Sequence, residues 1–283
     1  MRTFVSAVAT VLGVLLAAVA VPAIWLDRNI VREDGFVALA APLGKNAEFQ
    51  QQLATAAVGT IDTSAVPGFL SDLVQPVLEQ AAASMAGLPG YPAAWEETLR
   101  RSHRLSFPQP GEDPSSAGPV SSLTLDVAPL VALGVEEIST ATRLPLDPPG
   151  ETLINVGEPA QREWTERLAT YAPMGYLLAA GSGVAFLLAL VAARRRWTVL
   201  VGAGLGGLLL AGLWAVGAQV GSAAALATDT GNEVANLFRD EFVAAANADF
   251  IGWTVAAAVT GTVLLVLGIV AGIASRRRPG ASR

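Results

Sequence analysis

The chain has 283 residues, 52% of them hydrophobic and only 15% charged, with 18 basic residues against 24 acidic ones for a net charge of −6. Soluble domains carry about 25% charged residues, so the deficit points to a membrane protein, and the acidic balance argues against nucleic acid as a partner. There is no cysteine and His103 is the only histidine, which excludes disulfide frameworks, thiolate chemistry and multi-histidine metal sites; no cofactor is expected.

About 20 apolar residues are needed for a helix to cross roughly 30 Å of hydrocarbon. Four stretches meet this: Phe4 to Leu26, Tyr171 to Ala193, Trp197 to Val220 and Ile251 to Ala274. None contains a charge. Aromatic residues stand near several of their ends, including Trp25, Tyr171, Tyr176, Trp197, Phe250 and Trp253, where an amphipathic ring suits the headgroup level. The first stretch has a rival reading as a cleaved signal peptide, because Ala18-Val19-Ala20 fits a small-x-small site. Its apolar run outlasts the ~7–15 residues of a signal core and reads better as an uncleaved anchor.

Orientation follows from arginine placement, since cytoplasmic loops retain Lys and Arg. If the spans alternate, Arg2, Arg194 to Arg196, Arg276 to Arg278 and Arg283 fall on one side. That side then holds eight bases and no acid, whereas the other holds ten bases and all 24 acids, a net of −14. Both termini are therefore expected inside, with residues 27–170 and 221–250 outside. The implied domains are an anchor (1–26), an extracytoplasmic domain (27–170), a three-span bundle (171–274) with the outer segment 221–250, and a basic cytoplasmic tail (275–283).

Within the outer domain, Phe36 to Leu43 is a short apolar segment. Asn46 is placed to cap a helix in which Phe49, Leu53, Ala57 and Ile61 recur at helical spacing. Pro67 opens a second helix whose apolar stripe includes Leu70, Leu73, Val74, Val77, Leu78 and Ala81, kinked at Pro76. Pro92 opens another, with Trp95, Leu99 and His103 four apart on one face. Phe107 to Pro119, with four prolines, is loop. Ser121 to Val127 reads as a strand, Pro129 to Ser139 as a short helix and Thr152 to Val156 as a possible second strand. Glu158 to Tyr171 is an amphipathic helix with Glu158–Arg162 and Glu163–Arg167 at i,i+4, running into the second span without a break. Further on, Glu233 to Ala246 is amphipathic, with Val234, Leu237, Phe238 and Phe242 on one side; it packs on the outer domain or lies at the membrane surface. The expected fold is a mainly α membrane protein: four transmembrane helices plus a mostly helical extracytoplasmic domain with a possible small two-stranded element.

Phe36-Val37-Ala38 through Ala41-Pro42-Leu43, the Trp95 to His103 helix, Leu123-Thr124-Leu125-Asp126 and the Glu158 to Leu168 helix form a pattern. In it the chain resembles a family of uncharacterised actinobacterial integral membrane proteins, with four spans and a helical extracytoplasmic insert between spans one and two. The resemblance implies topology and envelope location, and no activity.

No motif identifies a reaction. Asp229-Thr230-Gly231 matches the aspartic-protease tripeptide, but that chemistry needs two such carboxylates and only one copy exists; a polar-capped turn is the simpler reading. Gly44-Lys45 lacks the first glycine of a P-loop. His103 is a possible general base, weighed against a packed histidine beside Trp95 and Leu99. Arg100, Arg101 and Arg104 are the one basic cluster outside, a candidate for anionic lipid, glycan or partner carboxylates unless Glu96 and Glu97 pair with them. Trp95, Arg100, Arg101, His103 and Arg104 together make the candidate partner patch. Gly202, Gly206, Gly217 and Gly221 repeat at helix-packing spacing, for close contact within the chain or for a homo-oligomer.

The expected partners are the bilayer and another membrane or envelope protein. The leading expectation is a non-enzymatic integral membrane protein of the bacterial envelope whose exported domain binds a partner or envelope component. The rivals are a membrane-anchored extracytoplasmic hydrolase and a permease-like subunit of a transport or mechanotransmission complex. Arg194 to Arg196 is short for the coupling segment such a permease needs.

Overall fold

In the computed structural model, the described residues are 1–59, 84, 87–107, 124–143, 147–148, 150–155 and 167–276. Outside them lie the expected helix Leu70 to Ala81, nearly all of the loop Phe107 to Pro119, most of the amphipathic helix Glu158 to Tyr171, and Arg277, Arg278 and Arg283. The described chain is mainly helical, with two compact units: 1–27, 170–223 and 247–283 form the first, 28–169 and 224–246 the second.

The first unit is built on α1 (Arg2–Leu26), which continues into a π turn at Asp27–Val31. Four helices of the chain are long and apolar enough to cross a membrane. They cover the four expected stretches, all but Ala193, and differ from them in their ends. The segment before the second span is helical only to Tyr171; Ala172 and Pro173 form a turn before α6 (Met174–Ala192). A continuous helix was expected there. Pro173 has no N–H to give to the helical ladder, and Gly175 N–H bonds Ala172 O at 3.0 Å instead. Ala193, Arg194 and Arg195 link α6 to α7 (Arg196–Leu226). The fourth span and the amphipathic segment before it are one helix, α8 (Glu233–Arg276), of 44 residues. At 1.5 Å per residue this is about 66 Å long, roughly twice what the hydrocarbon requires.

Large apolar side chains stand exposed along these helices, among them Leu12, Leu177, Leu188, Leu213 and Ile269. Surfaces of that kind are tolerable where lipid covers them. Between helices the unit relies on small residues and satisfied hydroxyls. Ser6 donates to Ala189 O at 2.9 Å, Ser182 to Gly13 O at 2.8 Å and the Trp214 indole to Ala18 O at 3.0 Å. Such bonds are worth about 0.6 kcal/mol each in membrane bundles, so close backbone approach carries much of the packing. A Cβ on Gly204 would stand 2.6 Å from Gly261 O, and one on Gly268 3.0 Å from Trp197 O.

The second unit holds the aromatic core. Here α2 (Glu33–Ala40) leads through a 3-10 turn at Ala41–Lys45 to α3 (Ala47–Gly59). Asn46 caps α3 as expected, accepting from Glu48 N–H at 2.9 Å and Phe49 N–H at 3.3 Å. Helix α4 (Tyr91–Ser106) carries Pro92 in its first turn, and α5 (Ala128–Thr142) carries Pro129; proline fits there because its missing N–H would be unsatisfied. Strands β1 (Thr124–Asp126) and β2 (Leu153–Asn155) pair antiparallel, with Leu125 opposite Ile154. All three residues of β1 are buried, so the expected alternation of inner and outer faces is absent. Leu125 belongs to a core with Val37, Ala40, Phe49, Leu53, Trp95, Leu99 and Val234. Leu237, Phe238 and Phe242 of α8 pack against the same core, which answers what the apolar side of Glu233 to Ala246 covers.

Candidate functional site

The 3.6-residue period of α4 sets Trp95, Leu99 and His103 on one face, and all three are buried. The Trp95 indole donates to Ala40 O at 3.0 Å, and its ring meets Phe49 and Phe238 edge-on with centroids 5.3 and 6.0 Å away. His103 stacks on Phe107 at 4.6 Å and tilts against Phe36 at 5.2 Å. Its Nε2 lies 3.0 Å from Ile30 O. A carbonyl only accepts, so Nε2 carries the hydrogen and Nδ1 presents a bare lone pair. That Nδ1 is buried and unbonded. Burial holds the His103 pKa below its ordinary value, against the opposing pull of the Ile30 carbonyl and the Glu33 carboxylate.

Beside His103 is a cavity of about 300 Å³. Phe36, Phe107, Phe238 and Phe242 wall much of it, with Thr228, Thr230 and Arg239 among its polar lining. The guanidinium is already engaged: it pairs with Asp240 at 2.6 Å and donates to Asn236 Oδ1 at 2.9 Å and to Thr228 O. The chamber is small and mostly apolar. This suits an apolar group.

The expected partner patch divides. Trp95 is 0% and His103 2% exposed, so neither can meet a partner at the surface; their ring area goes to the core. The three arginines are at the surface and paired. Arg100 reaches Glu96 at 3.9 Å and Arg101 reaches Glu97 at 3.0 Å, both one turn away on the same helix. Arg104 lies 3.6 Å from Glu33 and 3.8 Å from Glu97. Local acids thus neutralise the cluster.

Asp229-Thr230-Gly231 is a turn. Gly231 takes φ +69° and donates its N–H to Asp229 Oδ1 at 2.9 Å, while Asn232 accepts from Ala235 N–H at 3.1 Å near the start of α8. Bonds from Asn236 and the Gly231 N–H hold the Asp229 carboxyl below the usual carboxylate value. Of the packing glycines, Gly202 and Gly206 face α1: a Cβ there would stand 3.2 Å from Thr10 Cγ2 and 2.5 Å from Val14 Cγ2. Gly217 and Gly221 meet nothing within 4 Å.

Three aspartates matter to which sequence reasoning gave no role: Asp126, Asp249 and Asp27. Asp126 is 3% exposed; its Oδ1 accepts from Ala128 N–H and Thr152 N–H, each at 3.0 Å, and its own N–H donates to Ser102 Oγ at 2.9 Å. Arg101 stands 3.7 Å from its other oxygen. The signal was an aspartate two residues before a helix opened by Pro129. In the first unit, the Trp25 indole donates to Asp249 Oδ2 at 2.7 Å and Tyr176 donates to Asp27 Oδ2 at 3.1 Å. No local pattern announces pairings between residues so far apart in sequence.

Comparison with protein-family models, with curated proteins and with solved structures finds no match to the chain.

Proposed function

We propose that this chain is a non-enzymatic multi-pass protein of the bacterial cell membrane, and that its second unit is an extracytoplasmic binding module. Both termini lie in the cytoplasm on this reading, which the segregation of arginines from acids supports. The actinobacterial resemblance goes with the same proposal. The bound species is an envelope component or partner segment that seats an apolar group in the chamber beside His103. The observation that carries this reading is the cavity of about 300 Å³ walled by four phenylalanines.

The hydrolase reading is weaker because the hydroxyls near His103 serve the helix. Ser102 donates to Thr98 O at 2.6 Å and Ser106 to Ser102 O at 2.9 Å, which leaves neither aligned on the imidazole as a nucleophile–base pair requires. The permease reading has only the Ala193–Arg195 linker with which to meet an ATPase.

The test is photocrosslinking in intact cells with p-azidophenylalanine at Phe238, compared with the exposed Arg143. An adduct of defined mass to a lipid, glycolipid or protein at Phe238 and not at Arg143 is expected. Products confined to this chain, or identical at both positions, would contradict the proposal.

A further inference from the structure

The strongest unassigned feature lies in the first unit and is independent of the chamber beside His103. A groove of about 860 Å³ runs between α1 and α7. Its length is lined by Val11, Val14, Leu15, Leu205 and Leu209, and one end by Arg194 and Arg195. Three of its four hydroxyls are spent on backbone carbonyls: Ser6 on Ala189, Thr10 on Ser6 at 2.8 Å, Thr198 on Arg195 at 2.7 Å. The walls therefore behave as hydrocarbon. Val11, Leu15, Leu205 and Leu209 are each about half exposed or more, so the groove is open to whatever surrounds the helices.

The basic end has a different character. Arg194 and Arg195 are exposed and form no ion pair among the described residues. The same two arginines also line a second basin of about 750 Å³, together with Arg196, Ser275 and Arg276 and no acidic residue. This contrasts with Arg100, Arg101 and Arg104, each of which has a carboxylate within 4 Å. From Thr198 to Leu209 the groove extends about 17 Å at 1.5 Å per residue. One leaflet supplies about 15 Å of hydrocarbon, half of the bilayer core. Apolar walls one leaflet deep, ending at uncompensated guanidiniums, match an acyl chain joined to a phosphate.

We infer that the α1–α7 groove is a binding site for an anionic glycerophospholipid, its acyl chain along Val11, Leu15, Leu205 and Leu209 and its phosphate held by Arg194 and Arg195. Basic pockets between membrane helices bind such headgroups, and the planar guanidinium fork matches phosphate geometry. The glycines of α7 make room for the site, since Gly202 and Gly206 let α1 approach without side chains filling the floor.

Native mass spectrometry of the full chain in neutral detergent tests this, with dioleoyl phosphatidylglycerol against dioleoyl phosphatidylcholine at equal concentration. The wild type should retain the anionic lipid on the order of tenfold better, from two cations near the surface. No preference in the wild type overturns the inference whatever the variants do. Arg194→Gln with Arg195→Gln should abolish the preference. Arg2→Gln with Arg143→Gln removes the same charge at residues that line neither the groove nor the basin and should keep it; equal loss in both doubles would mean diffuse attraction and no built site. Val11→Trp narrows the groove from its exposed side and should lower retention, and unchanged retention would remove the acyl site. Inorganic phosphate should fail to displace the lipid; full displacement would show that the groove contributes nothing.

Discussion

Trp95 donates its indole N–H to the carbonyl oxygen of Ala40 at 3.0 Å, and in doing so holds the largest buried ring of the second unit against Gly44. A Cβ on Gly44 would stand 2.7 Å from Trp95 Cγ. The ring has no free direction, being boxed by Phe49 and Phe238. Gly44→Ala should therefore cost about 1–3 kcal/mol of overpacking, lowering Tm by roughly 2–10 °C in a unit of this size. Circular dichroism melting in detergent reads the shift. An unchanged Tm would mean the ring is looser than its contacts indicate.

Asp126 is the second point on which the unit turns. Replacing it with alanine strips the acceptor from two backbone N–H groups, Ala128 and Thr152. Each unsatisfied buried donor costs about 1–3 kcal/mol. Asp126→Asn keeps an acceptor oxygen and should recover most of the loss. Urea unfolding of the two variants distinguishes them; equal destabilisation would show that the charge beside Arg101, and not the caps, is what the site needs.

Much of this architecture was legible because periodicity reports burial directly. Four uninterrupted apolar runs can hardly be anything but long helices, and Trp95, Leu99 and His103 at four-residue spacing had to share a face. The same periodicity set Val234, Leu237, Phe238 and Phe242 on one side without saying what they would meet. Long-range polar pairings left no trace of that kind. Asp27 with Tyr176 and Trp25 with Asp249 depend on which helices become neighbours, and that is a tertiary outcome. The arginine cluster was legible in part. Glu96 and Glu97 stand one turn from Arg100 and Arg101 in the sequence and pair with them, whereas Glu33, which also takes Arg104, lies 71 positions away.

Acid should weaken the second unit through His103. The folded state holds the imidazole neutral below its ordinary pKa of about 6.5, chiefly by burial. The unfolded chain binds the proton first as pH falls, so the stabilising contribution is complete above about pH 6.5. It declines below that value until the folded pKa is reached, by at most about 1.4 kcal/mol per pH unit for one proton. Between pH 7 and pH 5 the wild type should lose more stability than His103→Phe, as measured by denaturant unfolding. Parallel pH profiles would show that His103 does not titrate differentially.

In the first unit, Gly204 and Gly217 should behave as opposites. Gly204 packs its backbone on Leu265 and Gly261, whereas a Cβ on Gly217 meets nothing within 4 Å. Gly204→Val should lower Tm in detergent by several degrees, at about 1–3 kcal/mol for overpacking, and Gly217→Val should leave it unchanged. If Gly217→Val shifts the elution volume on size exclusion without changing Tm, the face it lies on is a contact between copies. If both variants melt alike, the close approach of α7 to α8 carries no energy.

The side of the membrane on which the second unit lies decides whether it can meet an envelope component. With no native cysteine to interfere, single substitutions at the exposed Gln52 and Ser275 can be labelled in intact cells with a membrane-impermeant maleimide. Gln52→Cys should label before lysis and Ser275→Cys only after it. Labelling of Ser275→Cys in intact cells with Gln52→Cys protected would invert the topology and, with it, the proposal of an extracytoplasmic binding module.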